Sequence, residues 1–157
     1  MKINKIIIIL ALFLSFSCDY QPIYSEKNIG KSNNFTISSI VFSGHHNINQ
    51  KLKNNLKNYI NFESKKIKYD LVIHSTFERK ISSKNKKGNP DRYVATITFN
   101  IDIFENNKLK NKKKFEKSYE YKNKENKYNL KIYEQNVKNN LIDELGEDII
   151  NYLNSIK

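Results

Sequence analysis

Apolar residues fall along this chain in runs whose spacing changes from segment to segment, and each spacing predicts an element. Ile6 to Leu14 is an unbroken apolar run, preceded by Lys2 and Lys5 and followed by Ser15, Phe16 and Ser17. It has about half of the roughly 20 residues that a membrane-crossing helix needs, and its flanks are those of a secretory signal. Phe35 to Phe42 reads as a short strand whose alternation slips at Ser38–Ser39. Gly44 breaks the chain, Asn47 is the expected helix N-cap, and Ile48, Leu52, Leu56, Tyr59 and Ile60 then recur every three or four residues. That spacing predicts an amphipathic helix with Lys and Asn outside.

Tyr69 to Ile81 predicts a second strand, with Tyr69, Leu71, Ile73 and Phe77 on one side. The polar segment SSKNKKGNPD after it reads as a turn. From Arg92 to Glu105, Tyr93, Ala95, Ile97, Phe99, Ile101 and Ile103 alternate with mostly polar residues, which predicts a half-buried antiparallel strand. Asn106–Asn107 reads as a tight turn, and Phe115, Tyr119 and Tyr121 carry the alternation into a fourth strand. Residues 122–129 are polar and read as a loop. Leu130 to Ile156 predicts a long helix, with Tyr133, Val137, Leu141, Leu145, Ile149 and Leu153 on one stripe and a break near Gly146. The order is β-α-β-β-β-α. A sheet with one apolar face must cover it, and two amphipathic helices are at hand. The expected fold is an α/β (α+β) two-layer sandwich, a four-stranded, mostly antiparallel sheet packed by two helices.

Cys18, the chain's sole cysteine, stands directly after Ser17 at the end of the signal-like segment. Bacterial lipoprotein precursors are built this way, and the chain resembles them: the cysteine thiol is acylated and the signal is cut off in front of it. An ordinary secreted protein with one free cysteine is the plainer alternative. Each buried methylene contributes about 0.8 kcal/mol, so two or three acyl chains hold a protein on a membrane where one would not. A thiol used for attachment serves neither as nucleophile nor as metal ligand, so covalent acyl chains on Cys18 are the only prosthetic groups expected. The resulting division is a signal peptide at 1–17, a lipidated tether at 18–34 and a single α/β domain at 35–157.

Charge changes the picture less than its size suggests. The formal charge is +12, of which Lys2 and Lys5 supply two, but only Arg79 and Arg92 are arginines. Abundant Lys, Asn and Ile, all with A/T-rich codons, account for much of the excess. A nucleic-acid binder uses Arg for bidentate contacts, and the export signal leads away from the chromosome. An anionic lipid or glycolipid is the expected partner class. No catalytic constellation stands out. His45 and His46 sit side by side in a loop and His74 on a strand, without a third partner at metal-ligand spacing. Glu134, Asp143, Glu144, Glu147 and Asp148 read as a solvated helix face, and phosphate loops and nucleophile elbows are missing. The chain is expected not to be an enzyme.

The candidate contacts are basic. Arg79, Lys80, Lys84, Lys86, Lys87 and Arg92 flank the second turn and could meet the phosphates of a glycolipid or an acidic protein wall; a solvated, lysine-rich loop is the bland reading. The polar positions of the third strand, Thr96, Thr98, Asn100 and Asp102, are a second candidate, as a wet interface. Lys108 to Lys117 reads as a protected sheet edge.

The stretch Cys18-Asp19-Tyr20-Gln21-Pro22-Ile23-Tyr24 resembles the start of LptE-type lipopolysaccharide-assembly lipoproteins, which in the alphaproteobacterial branch runs Cys-Gly-Phe-x-Pro-Leu-Tyr. The order of elements and the Asn-, Gln- and Leu-rich helix INQKLKNNL extend the likeness along the chain. The resemblance implies an outer-membrane lipoprotein on the periplasmic face that plugs an LptD-type β-barrel, assists its assembly and contacts lipopolysaccharide weakly in transit. Asp19 departs from the small residue expected there, and aspartate at this place retains lipoproteins in the inner membrane of enteric bacteria. An accessory lipoprotein of another envelope lipid transporter, or a pilotin-like chaperone, is therefore the alternative.

Overall fold

In the computed structural model, residues 34–61 and 66–156 are described; the signal segment, Cys18 and all of the tether but Asn34 lie outside them. Strand β1 (Phe35–Gly44) leads into helix α1 (His46–Leu56) and a 3-10 turn (Lys57–Tyr59). Three strands follow, β2 (Ile67–Lys84), β3 (Pro90–Glu105) and β4 (Lys108–Lys122), and helix α2 (Lys127–Ser155) closes the domain. The expected order and the two-layer sandwich are both observed. The sheet runs β1-β2-β3-β4 in space, and its pairings are antiparallel except for β1 with β2, which is parallel. A parallel pair needs a crossover, and α1 is that crossover.

Period-two patterning works as predicted in β3. Tyr93, Ala95, Ile97, Phe99, Ile101 and Ile103 are all buried beneath the helices, beside Leu71 and Ile73 of β2. Each of the Ile, Leu and Phe side chains among them contributes about 1.5–3 kcal/mol when removed from water. The slip at Ser38–Ser39 is a β-bulge, with the register shifting between Ile37 and Ser39. Asn106 and Asn107 both take positive φ, 52° and 60°, as a two-residue hairpin turn that follows sheet twist requires.

Four local expectations are corrected. The N-cap of α1 is His45, not Asn47, and its side chain makes no capping bond; Asn47 lies inside the helix. Tyr59 and Ile60 do not extend α1. Tyr59 ends the 3-10 turn and stacks on Phe35, while Ile60 bridges to Ile37 of β1. The segment 122–129 is shorter as a loop than expected, because Asn126 caps α2 by accepting from the amides of Tyr128 and Asn129. Gly146 does not break α2 either. It is buried where the helices meet, and a Cβ there would lie 3.3 Å from Asn55 Nδ2 and 3.7 Å from Leu52 Cδ1, so the small residue serves close packing. Gly44 has a different role. Its φ is +91°, and a Cβ would fall 2.0 Å from the Ser75 carbonyl oxygen, so only glycine lets β1 turn into α1 there.

Candidate functional site

The register assigns the domain two ends. Phe35 pairs with Ile67, and Tyr69 lies opposite Glu105, so β1 starts at the end of the sheet that holds the β3–β4 turn. β1 stops at Gly44 opposite Ser75, while β2 and β3 run on, with β4 beside β3 as far as Arg92, to the hairpin at Asn85–Asn89. Asn85 organises that tip: its carbonyl accepts from Gly88 N (2.9 Å), and its Oδ1 accepts from Lys87 N (2.9 Å) and Asn89 N (3.0 Å). Gly88, at φ +81°, supplies the reversal. The polar turn expected from the sequence is therefore a defined hairpin tip, at the far end of the sheet from the start of β1.

The six basic residues expected to act together do not form one patch. Arg79 points to the helix face. Its guanidinium lies 3.8 Å from the centre of the Tyr93 ring and 3.1 Å from Glu134 Oε1, and that oxygen also accepts from Tyr121 Oη at 2.9 Å. Burial, reinforced by the bond to Glu134, pushes the Tyr121 phenol well above its ordinary pKa. Glu134 is thus an interior partner beneath α2 and not part of a solvated face. Lys80 and Arg92 stand on the opposite, open face. Lys80 pairs with Glu78 at 2.8 Å and Arg92 with Glu120 at 3.0 Å, while Ser82 Oγ donates to the same Glu120. Those two bonds to Glu120 hold its carboxyl below the usual range. Of the six, Lys84, Lys86 and Lys87 keep exposed ammonium groups with no ion pair among the described residues.

The open face carries a polar ladder through the third-strand candidates. Asp102 pairs with Lys112 at 2.9 Å, Thr98 donates to Glu116 at 2.9 Å, and Thr96 meets Ser118 at 2.7 Å. Lys114 also binds Glu116 at 2.6 Å, and with Thr98 it lowers the Glu116 pKa. One apolar spot interrupts this face, where Val41 and Val72 pair across β1 and β2, both exposed. β4 is an edge strand, as its lysines suggested, and Tyr119, expected among its inward residues, is half exposed.

Three of the remaining carboxylates of α2, Asp143, Glu144 and Asp148, also have partners, and Glu147 is exposed. Lys51 reaches Asp143 at 2.8 Å, and Lys117 lies between Glu144 (3.2 Å) and Asp148 (3.1 Å), whose hydrogen bonds raise the Lys117 pKa. Two shallow grooves of about 250 Å³ flank α2, one at Tyr119, Tyr133 and Glu144, the other at His45, His46 and Lys138. In the second, His45 meets Phe77 edge-on and Lys138 lies over the same ring. His74 bonds Ser43 across the open face. Among the described residues, no group of three or more His, Cys, Asp or Glu is placed to hold a metal, and no helix is long and apolar enough to cross a membrane. What this surface offers is a polar sheet face and a cationic hairpin.

No protein-family model matches the chain, and no curated protein does. Solved structures do. Rare lipoprotein B from Shewanella oneidensis is similar over 74% of this chain and 93% of its own, with a TM-score of 0.53 at 14% identity. A lipoprotein from Caulobacter crescentus is similar over 83% of this chain and 92% of its own, at a TM-score of 0.53 and 14% identity. A minor lipoprotein from Acinetobacter baumannii covers 74% and 88%, at 0.53 and 17%. The chain shares the fold of these bacterial lipoproteins.

Proposed function

We propose that the chain is a lipid-anchored, noncatalytic envelope protein that seats in an LptD-type outer-membrane barrel and assists lipopolysaccharide assembly. The observation that carries this reading is the polarity of the domain. The segment leading from Cys18 enters at one end of the sheet, and the hairpin with Lys84, Lys86 and Lys87 projects from the other. β2 alone, at 18 residues, spans about 55–60 Å at roughly 3.3 Å per residue. A rod of that length, held at one end by acyl chains on Cys18, carries its cations well away from the anchoring leaflet whenever it stands upright on it. The shared fold with bacterial lipoproteins supports the anchor, and the segment from Cys18 to Tyr24 supports the family. The mechanism is steric and electrostatic. The sandwich props the barrel, and the hairpin lysines offer glycolipid phosphates charge-assisted hydrogen bonds weak enough to release the cargo.

The test is crosslinking of the anchored protein in its native envelope, followed by mass identification of what is captured. An LptD-type barrel in near-equal amount is the expected result. Capture of inner-membrane transporter subunits, the partners that Asp19 would favour, overturns the barrel assignment.

A further inference from the structure

The hairpin lysines have neighbours from a different part of the chain. Asn123 N donates to Asp91 O at 2.7 Å, and Asn123 Nδ2 donates to Pro90 O at 2.8 Å. These two bonds fasten the β4–α2 connection to the start of β3, so the first turns of α2 stand beside the hairpin. Lys124, Lys127 and Lys131 come from this second segment, and among the described residues none of them forms an ion pair; Lys124 lies 4.4 Å from the centre of the Tyr133 ring.

Two large apolar side chains are exposed at the same place. Tyr128 is 71% exposed and Ile132 46%, and their spacing of four residues puts them one above the other on a single helix face. Lys127 and Lys131 occupy the next row. Helix stability does not account for this pattern. The first turn of α2 contains no acid, and two lysines four residues apart near the positive end of a helix dipole repel both the dipole and each other. The pattern matches what a helix lying at a lipid surface needs, with an apolar pair to enter the acyl boundary and lysines alongside for anionic headgroups. An acidic protein wall would use the lysines but leave Tyr128 and Ile132 without a purpose.

We propose that the first two turns of α2, together with the hairpin lysines, dock on an anionic bilayer, with Tyr128 and Ile132 entering the headgroup–acyl boundary. The inference does not depend on the barrel reading. The chain has no tryptophan, so Tyr128→Trp in the full-length lipidated protein gives a single reporter. Its emission is compared in vesicles of phosphatidylcholine alone and of phosphatidylcholine with phosphatidylglycerol, with brominated lipid as quencher. Tyr119→Trp, on the half-exposed β4 site, is the control with the same anchor, and Ile132→Trp is the second reporter if Tyr128→Trp folds poorly. The expected result is a blue shift and several-fold stronger quenching for the α2 reporter when anionic lipid is present, both abolished by Lys127→Glu with Lys131→Glu. Quenching no stronger than the Tyr119→Trp control, or unchanged by removing the anionic lipid or reversing the two lysines, overturns the proposal.

Discussion

The lysines of β4 and the lysines at the hairpin end look alike in the sequence and have opposite circumstances in the structure. Along β4, Lys110, Lys112, Lys114 and Lys117 each sit on a carboxylate, from Glu105, Asp102, Glu116 and the Glu144–Asp148 pair. At the hairpin end, Lys84, Lys86, Lys87, Lys127 and Lys131 have no such partner among the described residues. The lesson is that carboxylate placement, and not lysine density, decides where positive charge remains available to a ligand. β4 is the denser run, yet most of its charge is spent within the sheet and on α2. Its lysines suit an edge that must not pair with strangers.

The comparison can be broken first at Arg79, which belongs to the hairpin cluster by sequence and to the paired class by structure. Arg79→Ala leaves Glu134 and Tyr121 without their cation, and it should cost about 1–3 kcal/mol in denaturant unfolding, because a half-buried carboxylate loses its partner. A loss near zero would return Arg79 to the solvated group. Lys117→Ala should cost less, about 0.5–1 kcal/mol, since the pair network is partly exposed although it joins β4 to α2. The double variant Lys86→Ala with Lys87→Ala should change stability by less than about 0.5 kcal/mol while weakening retention on an anionic support. If it destabilises the domain as Arg79→Ala does, the distinction between the two groups of cations fails.

Acid sharpens the same contrast. Glu116 is held low by Lys114 and Thr98, and Glu120 by Ser82 and Arg92, so each carboxyl titrates below its unfolded value of about 4.3. A depressed carboxyl stabilises the fold above the unfolded value, and that contribution is lost as pH falls through the folded one. Stability measured against pH should therefore slope downward below about pH 4, and Glu116→Gln with Glu120→Gln should flatten the slope.

Periodicity made the frame legible before any coordinates. Six alternating residues located β3 and its buried face, and the stripe from Val137 to Leu153 located α2. What pattern could not supply was direction across the sheet. Arg79 and Lys80 are neighbours in sequence, so the pleat sends them to opposite faces, one under α2 and one to solvent. The α2 lysines went unconnected with the hairpin because the link is two hydrogen bonds from Asn123, which leave no periodic trace. Asn126 as a cap was within reach, since an asparagine ahead of an apolar-striped helix is a start signal. Gly146 misled because a mid-helix glycine serves close packing as readily as a break, and only the neighbouring helix tells them apart.

The single parallel pairing also sets an order of assembly. β2, β3 and β4 form a meander whose strands are joined by turns of a few residues, so their pairing closes short loops. β1 reaches β2 only after the 22 residues between Gly44 and Ile67 have folded back as a crossover. Loop-closure entropy favours the meander first and the parallel strand later. In refolding followed by hydrogen exchange, amides of the β2–β3–β4 meander should gain protection ahead of those in β1, so the first strand of the chain would be the last to join the sheet.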